Sequence, residues 1–184
     1  MREIEIKARV DDLLVIIATI TKSGARVSEP VSQHDRVYGI PGVAGASDNK
    51  KPWLRIRTET SQLSTKHYFT LKKSITSQLD SIEHETEIVD DQETAKIIEL
   101  LGFVPYSDLT KSRQKARIGD VEICIDAVAG LGNFVEAEVL TSENVDVDQV
   151  TATLWKLFES LGIKRQQQIF DGYDVLMNKH LDRQ

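Results

Sequence analysis

Cysteine is almost absent from this 184-residue chain. Cys124 stands alone, so neither an intramolecular disulfide nor a cysteine-paired zinc site can form, and a reducing compartment is expected. Aromatic residues are scarce at 6%, which argues against a binding surface made mainly of stacked rings. A basic excess is missing as well. Twenty-three Lys and Arg against 29 Asp and Glu leave a formal charge of -6, whereas a general nucleic-acid or membrane-surface binder needs a positive footprint. The longest apolar run, Leu13–Ala18, falls far short of the roughly 20 residues of a membrane-spanning helix. The opening MREIEIKARV alternates charged and apolar residues and does not read as a secretory leader. A cytoplasmic protein without nucleic-acid or membrane partners is the expectation, and the length suits one domain over residues 1–184. Net charge averages over the whole surface, so a small positive pocket stays open.

What is present is periodicity. Residues 2–10 alternate strictly, with Glu3, Glu5, Lys7 and Arg9 on one face and Ile4, Ile6, Ala8 and Val10 on the other, the pattern of a strand. The period then changes. Leu13, Ile16, Ile17 and Ile20 form a helical stripe, capped by Asp11 or Asp12 and stopped at Gly24. A second stripe follows Asp90 and ends at Gly102, and a third follows Asp146, with Gln149 in the capping-box position, and ends at Gly162. Strands are predicted at about 33–39, 53–60, 66–73, 82–89, 109–118, 121–127, 133–140 and 164–169. The Pro41–Pro52 stretch reads as a loop and Tyr173–His180 as a short terminal helix. Many antiparallel strands with few helices predict an α+β domain in which a strongly curved or closed sheet carries helices on its outside.

The strands keep their charges on one parity. Arg55 and Arg57 share a face, as do Glu83, Glu85 and Glu87. Lys111 and Arg113 share another, continued by Lys115 and Arg117, and so do Glu136 and Glu138; Asp126 lies opposite Val121, Ile123 and Ile125. An ordinary sheet with one wet face has the same alternation. In a closed sheet covered by helices, however, all these charges meet inside, and burying like charges together is costly without a ligand. Arg and Lys suit phosphoryl oxygens, and clustered carboxylates suit Mg²⁺ or Mn²⁺. A metal–polyphosphate complex accounts for both signs. No histidine spacing resembles a zinc motif, VAGLG lacks the ending of a P-loop, and no base accompanies Cys124.

The same residues resemble the CYTH superfamily of triphosphate tunnel metalloenzymes, which includes class IV adenylate cyclase and thiamine triphosphatase. EIEIK (Glu3–Lys7) matches an ExExK signature, LRIR supplies Arg55 and Arg57, and LKK supplies Lys72, or Lys73 if a bulge shifts the register. EHETE brings Glu83 and Glu85, TKSR brings Lys111 and Arg113, and IDAVAGLGNFVEAE brings Asp126, Gly132, Glu136 and Glu138. The resemblance implies a closed eight-stranded antiparallel β tunnel with helices packed outside. It implies catalytic residues Glu3, Glu5, Lys7, Lys72, Lys111 and Arg113. Substrate would be bound by Lys7, Arg55, Arg57, Lys72, Glu83, Glu85, Lys111 and Arg113, and Mg²⁺ or Mn²⁺ by Glu3, Glu5, Asp126, Glu136 and Glu138. Asp126 is a metal ligand or a salt-bridge organiser. QHDRVY, PWLRIRTE and GLGNFVEAE look most like class IV adenylate cyclase, which makes cyclic AMP and pyrophosphate from ATP. Ser81-Ile82 departs from relatives that carry an arginine before the middle acidic strand. A metal-dependent triphosphatase and a non-catalytic polyphosphate or nucleotide-binding module are the alternatives, and exposed helix faces would permit a homodimer.

Overall fold

Alternation of two unlike faces makes residues 2–10 a strand, and the computed structural model, which describes residues 2–42, 51–77, 79–142 and 144–182, has β1 there (Arg2–Val10). The other long strands are β2 (Val31–Gly39), β3 (Trp53–Thr60), β4 (Thr65–Ser77), β5 (Asp80–Ile88), β6 (Val104–Ile118), β7 (Val121–Val128) and β8 (Gly132–Thr141). Each pairs antiparallel in the order β1-β5-β4-β3-β2-β6-β7-β8 and back to β1, so the sheet closes into an eight-stranded tunnel.

Three helices begin where an aspartate satisfies orphan amides. Asp12 accepts from the Leu14 N–H before α1 (Leu13–Lys22), Asp90 from Gln92 and Glu93 before α2 (Asp91–Leu100), and Asp146 from Gln149 before α3 (Val147–Ser160). At the end of α3, Gly162 takes φ +82°, which lets the Ile163 N–H reach the Phe158 carbonyl at 2.9 Å and closes the turn.

The helices cover the apolar outer parity of the strands. Ile16 and Ile20 of α1 and Leu154, Trp155 and Phe158 of α3 pack on Ile4, Ile6, Ile123, Ile125, Val135 and Ala137. Ala95 and Ile98 of α2 pack on Tyr38, Leu54 and Ile56. The last helix, α4 (Tyr173–Leu181), sets Tyr173 and Met177 against Leu109, Val128, Leu131 and Phe134. Among the described residues no helix is long and apolar enough to cross a membrane.

β4 runs to Ser77, past the expected 73, and two further boundaries differ from the sequence pattern. β6 starts at Val104, ahead of the expected 109, because residues 104–107 pair with Val37–Gly39 of β2. The strand expected at 164–169 shrinks to a 3-10 turn (Arg165–Gln167) and a two-residue β9 (Gln168–Ile169). On that edge β1 gives β9 only Lys7 and Ala8, since Arg2, Glu3 and Ile4 already pair with β5. The loop expected at 41–52 lies mainly on residues 43–50, outside the described ones.

The tunnel's seam is its narrowest pairing. β1 and β5 share Arg2↔Ile82, Glu3↔Ser81 and Ile4↔Asp80, extended by the Glu5 N–H donating to the Leu79 carbonyl at 2.9 Å. A buried fork holds the seam shut, with Arg2 Nε to Asp80 Oδ1 at 2.6 Å and its other nitrogen to Oδ2 at 2.8 Å. Asp80→Ala should cost about 2–3 kcal/mol, because it leaves a buried guanidinium short of its acceptor. The urea midpoint should drop and hydrogen exchange at the Glu5 amide should accelerate. An unchanged midpoint would mean that the backbone pairs hold the seam unaided.

Candidate active site

Inward parity brings the charged positions around one cavity of about 770 Å³. Its depth can be read along β6, whose inward side chains Lys111, Arg113, Lys115 and Arg117 are 3, 7, 46 and 67% exposed. The mouth therefore lies at the Arg117 end. At the other end Tyr173 and Met177 of α4, with Phe134 and Leu109, fill the bore.

Each cation that lines the cavity has a carboxylate partner. Arg57 holds Asp35 through two bonds of 2.7 and 2.8 Å. Arg55 reaches Thr70 and Glu85 at 3.2 Å and Glu83 at 3.3 Å. Lys72 sits 2.6 Å from Glu3 and 3.0 Å from Glu83, and Lys7 sits 3.0 Å from Glu136 and 3.6 Å from Glu5. Arg113 grips Asp126 with two nitrogens and Glu136 with one of them. Lys7 and Lys111 both lie on the Tyr173 ring, 4.2 and 4.9 Å from its centre, while the Tyr173 hydroxyl donates to Asp126 at 2.9 Å. Burial, joined by the nearby Arg113 charge, brings the Lys111 ammonium down to about 8. Burial opposes ionisation of Glu83, yet Lys72 and Arg55 outweigh it and hold that carboxyl at about 2.

The sequence-predicted residues thus gather, but not all in one role. Lys72 is buried in the cavity whereas Lys73 is exposed, which fixes the register. Asp126 is fully buried beneath Arg113, Lys111 and Tyr173, which take up its oxygens. Glu136 is engaged by Lys7 and Arg113. The carboxylates left to cluster are Glu3, Glu5 and Glu138, whose oxygens lie within 4.8 Å of one another; Glu138 also approaches Glu122 and Cys124.

Lys72 on Glu3 and Lys7 near Glu5 do not fully balance this acidic cluster. Burial, followed by Glu136, pushes the Glu5 carboxyl up to about 7, and burial, followed by Glu3, pushes Glu138 up to about 8. Three converging carboxylates, of which Glu5 and Glu138 resist ionisation, are a fit for a hard divalent cation, which supplies further positive charge through oxygen ligands. Cys124 adds little to such a site, because burial drives its thiol well above the ordinary value and keeps it protonated.

Sequence reasoning missed Asp35, Thr70, Glu122, Tyr173 and Asp174, all at or beside the cavity. Asp35 had a signal, since Gln33, Asp35 and Val37 share a parity on β2. Tyr173 and Asp174 had none, because a helix brings them in and strand parity is blind to it. His84, of opposite parity to Glu83 and Glu85, is exposed and contributes to the cavity lining.

Known proteins are similar to this chain in sequence and fold. The CYTH domain model matches residues 1–173. A Methanocaldococcus jannaschii protein named "Putative adenylate cyclase" is 28% identical over 179 residues, covering 94% of this chain and 97% of the relative. A solved Pyrococcus horikoshii structure superposes with TM-score 0.81 at 25% identity, over 96% of this chain and 99% of that one. A Pyrococcus furiosus structure gives 0.79 at 23%, over 95% and 99%. Since the matched span takes in every long strand of the tunnel and every charged residue that lines it except Asp174, the chain belongs to the CYTH domain family.

Proposed function

We propose that this protein is a divalent-metal-dependent enzyme acting on a triphosphate, ATP or another triphosphate compound, with Glu3, Glu5 and Glu138 holding Mg²⁺ or Mn²⁺. One observation carries the reading: a cavity open at one end sets Lys7, Lys72, Lys111, Arg55, Arg57 and Arg113 beside a carboxylate cluster that its neighbouring lysines do not balance. When bound, the metal supplies Lewis-acid neutralisation of phosphoryl oxygens. The chain's own residues do the rest. Arg55 and Arg57, forked and already oriented by Glu83, Glu85 and Asp35, offer paired donors to phosphate. Lys111 and Arg113 stabilise charge that builds on the leaving oxygen, and Tyr173 keeps Lys7 and Lys111 in place from beneath.

A one-mouthed cavity admits the phosphate chain first and leaves any organic group near the mouth, which favours hydrolysis of the terminal phosphoryl group. Cyclisation of ATP is the second reading. It is favoured by the name of the archaeal relative, and it needs the ribose 3′-hydroxyl to attack the α-phosphorus. Incubation with ATP and with inorganic triphosphate, each with Mg²⁺ or Mn²⁺, separates the readings by product. Orthophosphate marks hydrolysis, and cyclic AMP with pyrophosphate marks cyclisation. Saturable binding without turnover of either compound would make the protein a binding module and end the enzymatic reading.

A further inference from the structure

The closed end of the cavity holds a group that the phosphate and metal sites leave unused. Gly172, Tyr173 and Asp174, at the start of α4, all line the cavity. Asp174 is only 7% exposed, and its Oδ2 has no hydrogen-bond partner. A buried carboxylate oxygen normally finds a donor, and one left without a donor in a residue that lines an internal cavity is set up to receive it from what the cavity binds. Burial opposes the charge on Asp174, while Lys7 and Lys72 both favour it. Burial pushes its carboxyl above the usual range, towards the basicity that proton transfer near neutral pH requires. Asp126, by contrast, spends its oxygens on Arg113 and Tyr173, and Glu136 spends its own on Lys7 and Arg113.

We propose that Asp174 Oδ2 accepts the hydrogen bond of the attacking water at the closed end of the tunnel and takes its proton. This rests on the triphosphate reading and narrows it to hydrolysis at the deepest phosphorus. In the step, the water oxygen bonds to the terminal phosphorus as one O–H proton passes to Asp174. The bridging P–O bond breaks and its electron pair stays on the departing diphosphate oxygen, beside Lys111 and Arg113. Orthophosphate leaves, and the proton on Asp174 returns to solvent. A ribose hydroxyl attacking an α-phosphorus nearer the mouth would not use this carboxylate.

Kinetics of Asp174→Asn and Asp174→Ala on inorganic triphosphate with Mg²⁺ test the assignment. Removing a general base should lower kcat by about 10²- to 10⁴-fold and leave KM within about threefold. Formate should restore part of the activity of Asp174→Ala but not of Asp174→Asn, where the amide fills the space. Both variants should still gain the wild-type thermal shift from inorganic triphosphate, which shows a folded, ligand-competent tunnel. A kcat within threefold of wild type, a KM that rises alone, or loss of the thermal shift would each overturn the proposal. So would an equal loss of any cyclic AMP formation the wild type displays. If the wild type itself releases no phosphate from any triphosphate, the broader functional reading fails and this one with it.

Discussion

Arg113→Ala should be the most destabilising single change in the tunnel, lowering stability by about 3–5 kcal/mol and the melting temperature by roughly 6–20 °C. The guanidinium is 7% exposed and the carboxylates it serves, Asp126 and Glu136, are buried with it. Without it, Asp126 keeps only the Tyr173 hydroxyl at 2.9 Å and the Lys111 ammonium at 3.8 Å, while Glu136 keeps Lys7 at 3.0 Å. Two negative charges then share a dry wall with too little compensation. The pH dependence identifies this cause. In the wild type Asp126 and Glu136 are held below the usual carboxylate range, chiefly by Arg113 and by Lys7 respectively against the opposing effect of burial. They therefore add stability above the unfolded carboxylate value, and that stability is lost as pH falls. In the variant both can take up protons more easily, so its deficit should be largest near pH 8 and shrink towards pH 5. Urea denaturation at both pH values checks this. A deficit that ignores pH would mean that lost packing of the arginine stem, and not stranded charge, sets the cost.

The tunnel was legible in the sequence because a closed barrel with a wet bore writes its inner face at every second residue. Glu3, Glu5 and Lys7, then Arg55 and Arg57, then Lys111 and Arg113, all carry that mark, and the register places each of them inward. The division of labour among the carboxylates was less legible. Asp126 and Glu136 have the same parity and type as Glu138, and only the cross-strand positions of Arg113 and Lys7 show which are already engaged. The closed end was the hardest part. Tyr173 and Asp174 reach the bore from a nine-residue helix whose sequence has no alternation, and what brings them there is the packing of Met177 and Tyr173 on Leu109 and Phe134. A pattern confined to one strand cannot report a contact made from outside the sheet.

Metal affinity should climb steeply with pH, by on the order of 100-fold for Mn²⁺ between pH 6 and pH 8, because the cation must displace protons from the cluster. Near pH 6 Glu138, at about 8, and Glu5, at about 7, both hold a proton that they must surrender to become ligands. The same shifts govern the metal-free protein with a definite sign. Between the ordinary carboxylate value of 4.5 and these raised values, the unfolded chain has released protons that the folded chain still carries, so each added pH unit favours unfolding. Stability without metal should thus be greatest near pH 5 and fall by several kcal/mol towards pH 8. Mn²⁺ should recover that loss, and recover more of it at pH 8 than at pH 6. Glu138→Gln separates the cluster from every other titrating group. It removes one of the repelling charges while keeping the shape, so the metal-free variant should outlast the wild type at pH 8 yet gain almost nothing from Mn²⁺. Calorimetric titration in buffers of different ionisation heat counts the released protons directly. Binding that is insensitive to pH and releases none would place the metal on other oxygens and take Glu5 and Glu138 out of the site.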